Sequence, residues 1–246
     1  MKKLLFIIVA LVITNSAFSQ GFKFGFKAGG NLSNMSTVAM AMSGGGMSMN
    51  MDVFKNDGMN IGFHAGLFAN LSLGSMFGVQ PEVLFSMQGG KQKLNSEVGG
   101  FGGEIPEGAD IAFNYVFDYI NVPVLFEFKP IAGLGILVGP QVGFNIYKSQ
   151  TTTLKLDGTT ISETTLKNAE LEDSMKATLD ENPYKKIDVA LVFGVQYSIW
   201  KLHVGVRYNI GLTNSFSVEH TEPGMKAQVD GMKNSALQLS IGYSLF

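Results

Sequence analysis

The sequence predicts an exported all-β chain, an eight-stranded antiparallel transmembrane up-and-down β-barrel with short periplasmic turns and long external loops. Three observations carry that expectation: an N-terminal export segment, an apolar and glycine-rich composition poor in charge, and eight period-two segments in series. Met1-Lys2-Lys3 reads as a basic n-region and Leu4 to Ile13 as an apolar h-region. Ala17-Phe18-Ser19 supplies small residues for cleavage before Gln20 or Gly21, so 1–20 is expected to be a cleaved signal peptide and 21–246 one domain. The apolar run is too short for a spanning anchor.

Charged residues are 15% of the chain, while Gly reaches 30 copies and Phe 19; an ordinary globular protein carries roughly 25% charge. An exported, apolar chain without spanning helices can satisfy its backbone in lipid only by closing a sheet on itself. The chain has no cysteine, which excludes disulfides, thiol catalysis and cysteine-based metal sites. A net charge of −2 argues against a nucleic-acid partner.

The strands follow in order. The first sets Phe22, Phe24, Phe26 and Ala28 against Lys23, Gly25, Lys27, Gly29 and Asn31; the second sets Ile61, Phe63, Ala65, Leu67, Ala69 and Leu71 against Asn60, Gly62, His64, Gly66, Asn70 and Ser72. The third opposes Phe77, Val79, Val83, Phe85 and Met87 to Gly78, Gln80, Glu82, Ser86 and Gln88. The fourth opposes Ile120, Val122, Val124, Phe126 and Phe128 to Tyr119, Asn121, Pro123 and Glu127. The same alternation runs through 136–146, 187–198, 202–212 and 237–245, where Gln141, Asp188, His203, Arg207 and Gln238 take the polar face. About ten residues suffice for a tilted strand to cross a bilayer.

Connections alternate too. Turns are tight around Gly74-Ser75, Pro130 to Gly133 and Trp200-Lys201, whereas long loops are expected at Ser33–Gly58, Gly89–Ala112, Ser149–Lys185 and Asn214–Asn234. That is the outer-membrane pattern. A soluble lipocalin-like barrel would turn its apolar face inward and has no reason to alternate loop lengths.

Several motifs resemble the PorT-like outer-membrane barrel family, a Bacteroidetes-type outer membrane protein β-barrel domain. They are Gly25-Phe26-Lys27-Ala28-Gly29-Gly30-Asn31-Leu32-Ser33, Gln80-Pro81-Glu82-Val83-Leu84-Phe85-Ser86 with Gln88-Gly89-Gly90-Lys91, Tyr119-Ile120-Asn121-Val122-Pro123, Gly139-Pro140-Gln141-Val142-Gly143-Phe144 and Leu239-Ser240-Ile241-Gly242-Tyr243-Ser244. The resemblance implies a barrel in the cell outer membrane of a Gram-negative bacterium. The namesake's part in secretion and gliding does not transfer on fold alone. Outer-membrane barrels usually end on a lipid-phase aromatic; here Leu245 holds that phase and Phe246 lies one step beyond.

Chemistry is sparse. Lys23, Lys27, Arg207, Glu82, Glu127, Asp188, His64 and His203 fall on the inward face, and three cations against three anions suit an interior packed with ion pairs. Met40, Met42, Met47, Met49 and Met51 flank Gly44-Gly45-Gly46, either as soft Cu(I) ligands or as the arms of a hairpin extending past the bilayer. Leu166 to Leu179 has the spacing of a short amphipathic loop helix, stopped by Asn182-Pro183. His220 stands near Glu219 and Glu222, but nothing resembles a nucleophile elbow or a phosphate loop.

The expectation is therefore a non-enzymatic barrel, structural or docking a protein partner through its external loops. No catalytic, cofactor-binding or metal residue is assigned and no cofactor is expected. Its other partners are outer-membrane lipid and the outer-membrane assembly machinery, the latter met through the C-terminal strand. The alternatives are a surface module binding a metal or small ligand through the Met-rich first loop, and a lipid-modifying enzyme at the rim.

Overall fold

Eight strands pair edge to edge until the last meets the first. In the computed structural model, which describes residues 21–44, 47–94, 109–179, 184–222 and 225–245, these are β1 (Phe22–Met35), β3 (Met47–Leu73), β4 (Phe77–Leu94), β5 (Ala109–Ile131), β6 (Leu134–Leu156), β8 (Ile187–Ile199), β9 (Leu202–Gly211) and β12 (Asn234–Ser244). Each neighbouring pair is antiparallel, and β1 pairs with both β3 and β12, so the ring closes. Closure removes the free edges that lipid would leave unsatisfied. The export segment 1–20 and Phe246 lie outside the described residues.

Alternation sets which side chain faces where. Along β9 and β12 exposed and buried residues alternate without a break: Leu202, Val204, Val206, Tyr208 and Ile210 face out, and His203, Gly205, Arg207, Asn209 and Gly211 face in. The outward apolar belt continues through Phe26, Phe63, Val83, Phe126, Val195 and Ile241. Leu245 is exposed and Ser244 buried, as the terminal phasing requires. The tight turns also stand where expected: Gly74 and Gly133 adopt positive φ (84° and 83°), which glycine takes at no steric cost. Trp200 tips the β8–β9 turn at 94% exposure, where an indole suits a membrane interface.

The four long connections depart from expectation, because much of their length is strand. β2 (Val38–Gly44) forms a hairpin with the extended start of β3. β7 (Thr159–Lys167) folds back on β6 and runs directly into α1 (Asn168–Leu179). β10 (Phe216–Glu222) and β11 (Met225–Gly231) form a further hairpin, and β11 pairs with β2. A strand pair persists beyond the bilayer wherever its alternation persists, and β5 shows why: Phe113, Tyr115, Phe117 and Tyr119 keep to the inner face, and the strand runs on from them into the end of the segment expected as loop, starting at Ala109. Residues 95–108 of that segment lie outside the described residues.

Candidate functional site

Within the barrel the central group is Glu82. Strands β1, β4 and β9 bring Lys27, Glu82 and Arg207 together, all three buried. The Arg207 guanidinium donates to both carboxylate oxygens, at 2.7 Å to Oε2 and 2.6 Å to Oε1. Lys27 Nζ donates to Oε1 at 2.8 Å, and Gln80 Nε2 at 2.6 Å. This bidentate fork is the strong form of the pair. Room for it comes from glycine: a Cβ at Gly194 would stand 2.7 Å from Arg207 Cγ.

The other inward groups pair differently from the expected three-against-three scheme. Glu127 accepts from Asn70 at 2.7 Å and from Lys129 at 3.1 Å, a cation the alternation did not single out. Asp188 Oδ1 accepts from the Thr213 hydroxyl at 2.6 Å. One carboxylate offers about four acceptor positions, so Glu82 takes two cations and leaves the other acids to partners nearer them. His64 Nδ1 stands 2.7 Å from Asn31 Oδ1. His203 bonds Ser198 and Ser244, each at 2.7 Å. Lys23 lines a recess of about 210 Å³ at the short-turn end with Asn70, Glu127, Lys129 and His203. Among the described residues no cluster of three His, Asp or Glu is placed to hold a metal ion.

At the loop end the inner face turns apolar. Met35, Val38, Tyr115, Phe117, Tyr119, Tyr184, Met232 and Leu171 of α1 form a buried cluster. Tyr115 and Phe117 stack at 6.3 Å between ring centroids, and Tyr184 meets Phe216 edge-on at 5.5 Å. Polar groups rim it: Lys148 Nζ reaches Glu172 of α1 at 2.5 Å and lies 5.3 Å over the Tyr184 ring. Burial raises the Tyr184 phenol above its ordinary range. Of the helix expected over 166–179, residues 168–179 are helical while Leu166 and Lys167 end β7, and Leu171 anchors the helix in this cluster.

Some of this the alternation skipped. Phe68, Leu84, Leu125, Leu137 and Val192 are buried inside the ring, with Leu125, Leu137 and Val192 in one cluster. The β6–β7 hairpin turns at Asp157-Gly158, both at positive φ (48° and 78°). That dipeptide between Thr-rich arms is a strong local hairpin signal. The Met run is indeed a hairpin arm, with Met40 opposite Met51 and Met42 opposite Met49. Gly45 and Gly46 lie outside the described residues, as do Asn182 and Pro183. Glu219, His220 and Glu222 fall on β10, but their side chains are not among those described.

The outer membrane protein beta-barrel domain matches residues 16–217. Three solved structures are similar. Neisserial surface protein A shares 11% identity over 92% of this chain and 100% of its own, at a TM-score of 0.39. OprG from Pseudomonas aeruginosa shares 13% over 92% and 96%, at 0.43. AlkL, solved in DMPC bilayers, shares 14% over 93% and 92%, at 0.37. No curated protein matches the sequence.

Proposed function

This chain belongs to the outer membrane protein β-barrel domain family, and we propose that it acts there as a non-enzymatic barrel whose interior is closed by inward ion pairs and whose specific contacts are made at the loop end. The observation that carries the reading is Glu82, buried and held by Arg207 and Lys27 from two other strands at 2.6–2.8 Å. An eight-stranded ring leaves room for side chains and little else, and charges tied across it at hydrogen-bond length oppose hydrated ion flow. The protein-facing surface is then the loop end, where three hairpins and α1 stand on an apolar core. Placement beside the PorT-like barrels rests on the motif run from Gly25 to Ser244 and extends to architecture only.

Two experiments test this. Purified protein in planar bilayers gives no conductance steps of constant size; such steps in the wild type overturn the closed interior. Mild solubilisation of the outer membrane recovers a stoichiometric companion that is lost when residues 159–179 are replaced by a short linker. Recovery unchanged by that replacement removes α1 and β7 from the docking surface. Modification of outer-membrane lipid that is lost in His220→Ala would instead restore the enzyme alternative.

A further inference from the structure

On one side of the barrel the ladder of the wall is interrupted. β1 pairs with β3 as far as Ser33 opposite Asn60, and the next pair along β3 is Phe54 opposite Val38 of β2. Residues 34–37 and 55–59, which lie between, are not paired with each other. β3 also bulges there, its register with β4 shifting between Asn56 and Gly58 and again between Met59 and His64. Asn56 Nδ2 donates to the Met35 carbonyl at 2.9 Å and ties the two sides together. The interruption leaves a recess of about 700 Å³ whose floor is the outer face of the wall, at the loop end of the apolar belt.

The chemistry of this recess is graded along the strands. Leu32, Leu237 and Tyr208 stand opposite one another in one row across β1, β12 and β9, and all three face out. Met59, also exposed, completes the apolar floor. Two residues nearer the loop end, on the same face, the row carries Asn34 opposite Ser235. Beyond it stand Ser36, Thr37 and Lys233. From Leu32 to Ser36 the grade runs about 13 Å, at roughly 3.3 Å per strand residue. Lys233 is fixed at the top by two bonds to Ser36. The Ser36 N–H donates to the Lys233 carbonyl and the Lys233 N–H to Ser36 Oγ, each at 2.9 Å. The Lys233 side chain is exposed and has no ion pair among the described residues. Asn34 Nδ2, Thr37 Oγ1 and Ser235 Oγ likewise have no protein partner among them.

We propose that this recess binds one phosphorylated glycolipid of the outer leaflet. An acyl chain lies along Leu32, Leu237, Tyr208 and Met59, a phosphate meets Lys233, and sugar hydroxyls meet Asn34, Thr37 and Ser235. Bulk acyl chains need only an apolar wall, and a concave site with unspent polar groups at one end asks for more than that. Lysine binds phosphate as a point charge. Hydroxyl and amide groups both donate and accept, which is what a sugar hydroxyl requires. One ammonium beside three neutral groups suits a headgroup richer in hydroxyl than in charge. The volume lies within the roughly 300–1,000 Å³ of sites that hold a small ligand. The site uses neither the Glu82 group nor α1, so lipid binding can fail separately from the closed interior and from docking at the loop end.

The test uses the full chain in detergent, labelled with ¹³C at the methionine methyls. It is titrated with phosphorylated lipid A, with dephosphorylated lipid A and with phosphatidylglycerol. Phosphorylated lipid A binds one to one and moves the methyl resonance of Met59, while that of Met76, exposed at the short-turn end, stays. The other two lipids bind at least tenfold more weakly. Lys233→Gln weakens binding of the phosphorylated form about tenfold, and Asn34→Ala with Ser235→Ala about fivefold, with heat-modifiable gel mobility unchanged. Equal binding of the three lipids, Met59 and Met76 shifting together as a general lipid annulus would make them, or undiminished binding in Lys233→Gln overturns the site. The Met59 shift on wild-type protein decides the matter even if the double variant fails to fold.

Discussion

At mid-barrel the inner face of the wall presents Lys27, Glu82 and Arg207, tied within 2.6–2.8 Å. Farther along the same sheet it presents Tyr115, Phe117 and Tyr119, packed ring to ring in one cluster with Leu171 of α1. The two regions share strands and closure yet fill their interiors by opposite chemistry. The outer face accounts for the contrast. Where lipid covers the outside, alternation puts the apolar belt outward and leaves most inner positions to polar side chains that have to satisfy one another. Beyond the bilayer that demand lapses, and the inner face can become an ordinary apolar core.

The difference predicts separable stability. Glu82→Ala leaves two buried cations without a counter-charge, and removing one partner of a buried ion pair costs about 3–5 kcal/mol. The unfolding midpoint of the whole barrel, read by heat-modifiable mobility in urea, should fall accordingly. Leu171→Ala opens a cavity in the loop-end core at a cost of about 2–4 kcal/mol, but the loss should be local. Amide exchange should quicken in α1 and β7 while the barrel midpoint holds; a matching fall in the midpoint would mean the two regions are one cooperative unit.

Smaller effects sharpen the boundary. The Tyr184 phenol is raised by burial, so its neutral form is the one the core stabilises. Its contribution is complete below the unfolded tyrosine value of about 10 and is lost as pH rises past it. Protease cleavage near α1 should therefore accelerate above that pH, and Tyr184→Phe should weaken the acceleration. Smallest of all, Lys93 pairs with Asp110 at 2.6 Å, but both side chains are well exposed. Exposed pairs contribute about 0–1 kcal/mol, so Lys93→Ala should leave the midpoint within error.

How much of this could be read from sequence follows the same division. Strand positions, tight turns and inward charges were legible, because a lipid-facing wall forces strict period two. Phe68, Leu84, Leu125, Leu137 and Val192 were not. Apolar residues stand on both faces there, and alternation has nothing to distinguish. β7 carried a local signal in Asp157-Gly158 that the expectation of a loop passed over. The pairing of β2 with β11 joins Met42 to Ala227 across most of the chain, and no local pattern encodes such a contact. The identity of Glu82's two partners was likewise hidden, since face assignment says which charges are inside but not which of them meet.

The most direct test of the central claim compares two variants of the triad. Glu82→Leu alone should be severely destabilised. The triple variant Lys27→Met, Glu82→Leu, Arg207→Met, which removes all the charge while keeping the volume, should recover to within about 1–2 kcal/mol of wild type. That recovery is what a self-neutralising plug predicts. Losses that simply add from one substitution to the next would contradict it.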